Sequence, residues 1–490
     1  MDSLMNTNRT CGSDSRAASR VGRCPATYPR QIVAAVIAWS LIVTLTALGQ
    51  APPGPGQGAQ PVAPPQEQTT PPAGPPPPVP PTPTLPQRPA PPPPAVHLSL
   101  DRAIELALQH NHSLLAARTT IDQNRAQETT AFLRPNPDLS WDAQFLPFFS
   151  PQVFSADYLK NNAQFDIGVG YLIERGKKRQ RRLEAARDTT AVTTATVSDN
   201  ERTVTSSVAQ QFIDALLAKA NLELAHTDLD SFQQSIEISE ARYRAGAMSE
   251  GDLLKIKLQM LQFQMDLSAA ELAQVQALAA LRQQLGFESV PENYDVEGEL
   301  AYQPITVNED DLKMLALRTR PDFRAAQLGV TAAQSQYSLA RANAKKDLSA
   351  SLDYSRAAGT NTASAFFSIP LSIFDRNQGE IARTQFAITQ AQEGQSLASE
   401  GVLTDVTNAY ENLRTNNAVV NLYMAGYLKE AEDSRDISQY AYQRGAASLL
   451  DYLDAERSYR ATQLAYHQAL ANYMLAVEQI RQAVGTRSLP

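Results

Sequence analysis

Two short stretches of the chain carry the same four residue types at the same spacing. They are YRAGAMSEGDLL, beginning at Tyr243, and YQRGAASLLDYL, beginning at Tyr442. Glycine readily adopts the positive φ that ends a helix, and a serine followed three residues later by an acidic residue can form a capping box that starts the next helix. The pattern therefore predicts two capped helical turns, built by Tyr243 and Tyr442, Gly246 and Gly445, Ser249 and Ser448, and Asp252 and Asp451.

The sequence offers little to catalysis or to metal binding. It has no GxSxG, no phosphate-binding P-loop and no HExxH, and His110 and His112 are spaced so that a helix would point them to different faces. Cys11 and Cys24 both precede the apolar run 31–49, so the rest of the chain has no thiolate for a disulfide or a metal. We therefore predict no enzymatic activity, no metal and no cofactor. The net charge of −8 argues against nucleic acid as a partner.

The N-terminal part of the chain has the composition of a leader and a spacer. Five arginines precede the uncharged run 31–49, which ends in small residues, and this pattern predicts a signal peptide over 1–49. The alternative is an uncleaved inner-membrane anchor, since the run is nearly long enough to span a bilayer. Residues 50–96 hold 21 of the 32 prolines, which predicts a disordered or polyproline II tether.

The remainder of the chain consists of two similar sequence repeats. LALQHNHSLLAA resembles LALRTRPDFRAA, and LRQQLG resembles IRQAVG; with the two turn motifs, these make three anchors in the same order. An internal duplication explains the pattern. We assign the first repeat to 97–300 and the second to 301–490.

Each repeat is predicted to contain a long helix without proline, a tip turn and a shorter returning helix. At 1.5 Å per residue the long helices would extend about 100 Å and the returning ones about 55 Å. A further helix, near 98–134 or 308–346, precedes the strands of each repeat. Apolar residues in the first returning helix recur about every 3.5 positions, which is typical of a coiled coil. The predicted bounds are 177–243, 244–249 and 249–286 in the first repeat, and 377–443, 444–449 and 449–485 in the second.

Short segments with alternating apolar and polar residues predict two strands in each repeat. They lie at about 138–146 and 164–173 in the first repeat, and at about 348–356 and 363–371 in the second. The apolar positions of these strands are predicted to face lipid: Leu139, Trp141, Phe145, Phe165, Ile167, Val169, Tyr171, Leu352, Tyr354, Phe367 and Ile369.

Strands with one apolar and one polar face, in a secreted chain, favour a membrane barrel with a wet lumen. Four strands are too few to close one, and open edges are not tolerated in lipid. Three protomers would pool twelve strands. The predicted fold class is therefore mainly α with a membrane β-barrel part, in which long antiparallel helices continue the barrel as a trimeric tunnel. An aromatic girdle, with core packing as the alternative for each residue, is predicted at Trp141, Phe145, Phe148, Phe149 and Tyr171.

In these features the chain resembles the TolC-like outer-membrane efflux proteins, especially the branch that serves heavy-metal and drug pumps of the resistance–nodulation–division type. The resemblance covers about 98–486. It rests on the duplicated YxxGxxSxxD turns, the LALxxxxxxxAA openings and the RGKKR and DRNQGEIA segments that follow the strands. It implies a homotrimer in the outer membrane with a large periplasmic tunnel. It also implies a periplasmic adaptor and an inner-membrane pump as partners.

The same resemblance implies a role for the tip turns. In the family a tyrosine, an arginine and an aspartate close the tunnel, and two of them correspond to Tyr442 and Asp252. The position of the arginine is occupied by Ala447. This departure from the family pattern leaves an ionic latch only if Arg444 or Arg244 substitutes for the missing arginine. The resemblance implies that the residues of both turns serve in the gate and in adaptor docking.

We therefore predict a passive exit duct of a tripartite efflux or type I secretion system in a Gram-negative-type bacterium. It would conduct drugs, metal ions or other small cargo, and adaptor and pump would open it at its periplasmic tips. The alternative is a periplasmic adaptor with long helical hairpins. An adaptor, however, needs one hairpin and small β-rich domains, whereas this sequence predicts two hairpins and four amphipathic strands.

Overall fold

The computed structural model describes residues 96–489 of the chain. The predicted signal peptide over 1–49 and all but the last residue of the predicted tether lie outside the described residues. Among the helices of 96–489, none combines the length and the apolar character needed to cross a lipid bilayer.

The first repeat passes from two consecutive helices to a pair of strands, and then to a long helix and its shorter return. The long helix has 67 residues, which corresponds to about 100 Å. The elements are β1 Val96–Leu98, α1 Leu100–His110, α2 His112–Phe132, β2 Asp138–Gln144, α3 Ala156–Asn161, β3 Gln164–Ile173, α4 Lys178–Arg244, α5 Glu250–Leu285 and β4 Tyr294–Val296.

The second repeat has the same order of elements, but its long helix is divided. A five-residue π turn, Tyr423–Tyr427, separates the two parts. The elements are α6 Glu309–Thr319, α7 Pro321–Asn343, β5 Leu348–Ala357, β6 Thr360–Ser368, α8 Gln378–Leu422, α9 Leu428–Gln443 and α10 Leu449–Val484.

The predictions of a single helix near 98–134 and another near 308–346 are wrong, because each region contains two helices. The side-chain oxygen of Asn111 accepts hydrogen bonds from two backbone N–H groups of the following turn, at 3.0 and 3.1 Å, and so starts a new helix. Its amide also donates to the carbonyl of Gln284 at 2.9 Å, which fixes the break against α5. In the second repeat Pro321 has no N–H to continue the ladder, and it occupies the first position of α7 instead.

The prediction of an uninterrupted helix over 377–443 is also wrong. Gly426 has φ 140°, a value outside the helical region that glycine tolerates, and the chain around it forms the π turn. Such turns insert an extra residue and locally widen a helix. The first long helix, α4, has no comparable interruption.

The four long strands form one antiparallel sheet in the order β2-β3-β5-β6. Directly paired residues share a face: Trp141 opposes Ile167, which opposes Tyr354. The outer strands β2 and β6 each pair on one side only within the described chain. The short strands β1 and β4 pair in parallel at the other end of α1.

The register of this sheet gathers the predicted apolar positions on one side. The opposite side carries hydroxyls and carboxylates, with Asp142 paired to Asp166 and both in line with Ser355. The apolar side contains Leu139, Trp141, Phe165, Ile167, Val169, Tyr171, Leu352, Tyr354 and Phe367. That this side meets lipid stays a prediction.

Two residues predicted in strands lie just beyond them. Phe145 follows the end of β2 with φ 55°, so the chain turns away from the sheet at that residue. A two-residue turn at 358–359, where both residues have positive φ, precedes β6. The strand runs from Thr360 to Ser368 and so ends before Ile369. Pro370 could not have donated to the ladder in any case. The alternation of apolar and polar residues in the sequence therefore extends beyond the end of the hydrogen-bonded strand in β2 and in β6.

The buried side chains form three separate clusters. Two lie along the middle of the helices, one around α1, α4 and α5 and the other around α6, α8 and α10. The third lies next to the tip turns and joins both helical hairpins; we call it the tip cluster. It consists of Phe232, Leu253, Ile256, Phe263, Tyr442, Leu449, Tyr452 and Leu453.

The glycine at the end of α5 should be required for the docking of that helix on α1. Gly286 has φ 87°, and a Cβ there would lie 2.8 Å from the carbonyl oxygen of His110. We expect Gly286→Ala to destabilise the protein by about 2 kcal/mol, from unfavourable φ and this clash. In the matched control Gly394→Ala, a Cβ on α8 meets no atom within 4 Å, and helix propensity should stabilise by about 0.5–1 kcal/mol. Melting temperatures in detergent compare the two; similar shifts for both variants would contradict the requirement.

Candidate functional site at the helical tips

Both tip turns use a glycine in the left-handed region to end the incoming helix. Gly246 has φ 73° and Gly445 has φ 76°. In the first turn the N–H of Ala247 donates to the carbonyl of Arg242 at 2.9 Å. In the second, the N–H of Ala446 donates to the carbonyl of Ala441 at 2.8 Å. These bonds satisfy carbonyls that the helix leaves without a partner, so each turn is fixed by its own backbone.

The serines start the returning helices, but only one capping box is complete. Ser448 accepts from the N–H of Asp451 at 3.2 Å, and the Asp451 carboxylate accepts from the Ser448 N–H at 3.2 Å. Ser249 accepts from the N–H of Asp252 at 3.1 Å without the return bond. The Asp252 carboxylate instead accepts from the Ser249 hydroxyl at 2.8 Å and pairs with Lys255 at 3.2 Å. These two hydrogen bonds lower the pKa of Asp252.

The two tyrosines that open the motifs occupy different environments. Tyr442 is 5% exposed and its ring stacks on Tyr452 with centroids 5.3 Å apart. Tyr243, its counterpart in the first repeat, is 40% exposed. The duplicated motif thus gives two similar turns, of which only the second places its tyrosine between the hairpins.

Two serines of α4 form hydrogen bonds with Tyr442 and Tyr452, across the gap between the two hairpins. The hydroxyls of Ser239 and Tyr442 share a hydrogen bond of 3.2 Å, and those of Ser235 and Tyr452 share one of 2.9 Å. Burial raises the pKa of Tyr452 to about 12, so its phenol stays protonated at any physiological pH. Each bond connects a helix of the first hairpin to a helix of the second.

Arg242 makes a charged polar link between the tips. Its guanidinium donates to the backbone carbonyl of Tyr442 at 2.6 Å and lies 5.0 Å from the centre of the Tyr442 ring. A charged donor on a backbone carbonyl is worth more than a neutral one. The sequence analysis missed this residue. Its counterpart in the second repeat is Ala441, and this difference between repeats was the available signal.

The latch implied by the resemblance does not form within one chain. Tyr442 contacts Ser239 and Arg242 rather than Asp252, whose side-chain partners lie in its own turn. The guanidinium of Arg444 lies 5.2 Å from the ring centre of Tyr440, its neighbour on α9. Arg244 pairs with Glu240 one turn earlier on α4, at 3.8 Å.

Neither proposed substitute arginine therefore reaches the other hairpin. Within the described chain, Arg242 is the tip arginine that does. Within one protomer each of these arginines is held by a residue of its own helix. That Arg444 or Arg244 takes the arginine's place in a latch stays a prediction.

Removal of the Arg242 side chain should loosen the second turn. If the contact contributes about 1.5 kcal/mol, local opening in Arg242→Ala becomes about tenfold more frequent. Limited trypsin digestion measures this as the rate of cleavage after Arg444. Arg244→Ala is the matched control, since Arg244 pairs only within α4. Equal cleavage rates in the two variants would show that Arg242 does not hold the turn.

Comparison with protein families finds a match in both repeats of the chain. The family model described as "Outer membrane efflux protein" matches residues 103–287 and 312–486, one segment in each repeat. The cobalt-zinc-cadmium resistance protein CzcC of Cupriavidus metallidurans is 26% identical over 393 residues, which cover 79% of this chain and 90% of CzcC. The pyoverdine export outer membrane protein OpmQ of Pseudomonas putida is 25% identical over 385 residues, covering 73% and 80%.

Solved structures share the fold at low identity. The outer membrane protein VceC of Vibrio cholerae superposes with a TM-score of 0.62 at 20% identity, covering 79% of this chain and 96% of VceC. The MtrE outer membrane channel of Neisseria gonorrhoeae, in an open state, gives 0.64 at 18%, covering 79% and 89%.

Family membership also decides between the functional classes considered from the sequence. A match in both repeats assigns the chain to outer-membrane transport, and neither to the enzymes nor to the periplasmic adaptors. The protein therefore works in the outer membrane, with a large periplasmic part formed by the helices. This chain is a member of the outer membrane efflux protein family.

Proposed function

We propose that the protein is the homotrimeric exit duct of a tripartite efflux system, which an adaptor and an inner-membrane pump open at the helical tips. The duct itself is passive: the pump supplies the energy, and this chain supplies a lined passage and a closure. One observation carries the proposal most directly, namely a four-stranded sheet with one apolar side and two edges that have no partner strand among residues 96–489.

The edges of the sheet are the first reason for assembly. β2 and β6 each leave one row of backbone N–H and C=O groups without a partner strand in the described chain. Lipid provides no hydrogen bonds to such groups, so a sheet that spans the membrane must close on itself. Pairing β6 of one copy with β2 of the next closes the sheet, and three copies give twelve strands, an even number in the usual range.

An apolar stripe along α5 is the second reason. These side chains follow the coiled-coil spacing of the sequence, yet in the single chain they are 53–69% exposed. A stripe of this length on a soluble surface is typical of a contact with another protein surface. In the proposed trimer a neighbouring protomer covers it. The stripe consists of Leu254, Leu258, Leu261, Met265, Leu272 and Val275.

The polar side of the sheet supports cationic cargo. Asp142 and Asp166 lie opposite each other, and Asp353 lies opposite Gly168. A Cβ at Gly168 would fall 1.9 Å from the Asp353 carboxylate, so the glycine leaves room for an acidic side chain on this side. In a closed barrel these carboxylates would line the lumen of every protomer and attract cations. The metal-resistance function in the name of CzcC agrees with this class of cargo.

The assembly is tested by the native mass of the protein extracted from isolated outer membranes in mild detergent. A mass of three processed chains supports pooled strands. A monomer, or a protein found in the inner-membrane or soluble fraction, would overturn the shared barrel.

The closure is tested by currents through single channels in planar bilayers. We expect Arg242→Ala to raise the resting conductance severalfold, because it removes a charged hydrogen bond between the hairpins. Asp252→Ala should leak less, because the Asp252 contacts stay within its own turn. A leak confined to Asp252→Ala would locate the latch between protomers instead. The absence of conductance in every variant would contradict the duct itself.

A further inference from the structure

A group of charged side chains lies between the two hairpins, farther from the tips than the tyrosines, and two of its carboxyl groups, those of Asp228 and Glu456, are buried. We call it the buried-charge cluster and define it as Asp228 of α4, Asp266 of α5, Arg435 of α9, and Glu456 and Arg460 of α10. All four helices of the two hairpins contribute to it. Any displacement of one hairpin against the other therefore changes its contacts.

Arg460 is the centre of the cluster. Its Nε lies 3.1 Å from the Oδ2 of Asp228, and its Nη1 lies 2.5 Å from the Oδ2 of Asp266. The guanidinium is also 5.1 Å from the ring centre of Phe263 in the tip cluster. Asp228 is only 4% exposed, so its carboxylate depends on this arginine.

Glu456 lies one helical turn from Arg460 and is 5% exposed. Among residues 96–489 its carboxyl has no hydrogen bond and no ion pair, although two arginines are near. Arg435 is engaged with Asp436 at 2.7 Å and with Glu432 at 3.9 Å, and Arg460 is engaged with two aspartates. A buried carboxylate without a partner is unfavourable, whereas the protonated acid is neutral.

The charged groups around Asp228 and Glu456 do not neutralise these two carboxylates. Five carboxyl groups lie around two guanidinium groups, and the neighbouring Tyr452 phenol is neutral because burial raises its pKa to about 12. Burial raises the pKa of Asp228 to about 6, although Arg460 and Arg435 oppose the change. Burial, followed by repulsion from Asp228, raises the pKa of Glu456. The five carboxyl groups are those of Asp228, Asp266 and Glu456 in the cluster and those of Glu432 and Asp436 beside Arg435. The neighbouring phenols are those of Tyr452 and Tyr459.

We propose that Asp228 and Glu456 form a proton-binding site whose protonation favours the closed packing of the two hairpins. The proposal rests on the proposed function only in that it identifies this packing with the closed duct. It assigns a ligand, the proton, to a buried pair that lies apart from the tip turns.

The direction of the pH effect follows from the sign of the pKa shifts. The packed state binds protons more tightly than a state in which the carboxyls reach water, where an aspartate has its ordinary value of 3.8. Between that value and about 6 the packed state therefore carries more protons. Its stability relative to the separated state falls as the pH rises through this window. Acidification tightens the packing, and a neutral or alkaline medium eases separation.

The backbone provides a point at which the second hairpin can bend. The π turn at 423–427 lies immediately before α9, which carries Arg435, whereas α4 on the facing side is continuous. Interruptions of this kind are the usual sites of helix kinks. Bending of α9 at Gly426 would carry the tip end of α10, with Glu456 and Arg460, away from Asp228 while α4 stays in place.

The first experiment detects the proton itself, without channel activity. Infrared difference spectra of the purified wild-type protein in detergent are recorded between about pH 8 and pH 5, on either side of the pKa of about 6. We expect a carbonyl band of a protonated, buried carboxyl to grow in this interval, and to weaken in Asp228→Asn and in Glu456→Gln. Asp454→Asn is the control, because this exposed carboxyl lies on the same helix, α10. A band unchanged in both amide variants would overturn the assignment, as would its absence from the wild type.

The second experiment measures coupling to closure in planar bilayers. The resting conductance of the wild type should fall severalfold from about pH 8 to pH 5, and Asp454→Asn should behave alike. Asp228→Asn/Glu456→Gln imitates the protonated pair and should stay low at both pH values. A wild-type conductance independent of pH would overturn the proposal while leaving the duct intact. Channels that never conduct would refute the proposed function, and the infrared result would then stand alone.

Discussion

The unpaired edges of the strand sheet are the constraint from which the rest of the architecture follows. A strand edge in water can bond to solvent, but an edge in hydrocarbon cannot, and each unsatisfied group costs several kcal/mol. The apolar face formed by Trp141, Ile167 and Tyr354 is suitable only for lipid or for another apolar surface. Within residues 96–489 such a sheet is therefore incomplete. The helices that continue from the sheet also lack a packing partner, because the apolar stripe along α5 is exposed in the single protomer.

Duplication supplied two similar hairpins, and later differences between them supplied the contacts that join them. The turn glycines and capping serines are equivalent in both repeats because a capped helical turn needs them regardless of its surroundings. Tyr442 is buried while Tyr243 is exposed, and Arg242 has only Ala441 as its counterpart. A contact between two different hairpins requires complementary rather than identical residues. The contacts between the hairpins are thus found where the two repeats differ in sequence.

The same distinction explains how much of the structure could be predicted from the sequence. The bounds of β3, the long α4 and both tip turns follow local rules of periodicity, capping and glycine conformation, and these elements lie where the sequence placed them. The break at Asn111 depends on a bond to Gln284 in another helix, and the π turn at Gly426 interrupts a stretch with no proline. Arg242 is a polar residue at the end of a helix, where the local pattern gives no hint of a partner 200 residues away. The break at Asn111 and the contact of Arg242 depend on tertiary contacts, which one sequence does not display directly.

Polar contacts between the packed helices fix the alignment of the two hairpins, which apolar packing does poorly. The tip cluster of leucines and aromatics stabilises the hairpins without direction, since apolar contacts tolerate sliding by small steps. The bonds of Ser235 and Ser239 to two tyrosines have fixed lengths and angles, so they favour one alignment of α4 against the second hairpin. Buried polar groups give up stability relative to a purely apolar core and are best known for fixing register. A duct that must close in one arrangement, and still come apart when a partner acts on it, benefits from both properties. Specific alignment and modest stability are available together only where polar groups are buried between the moving parts.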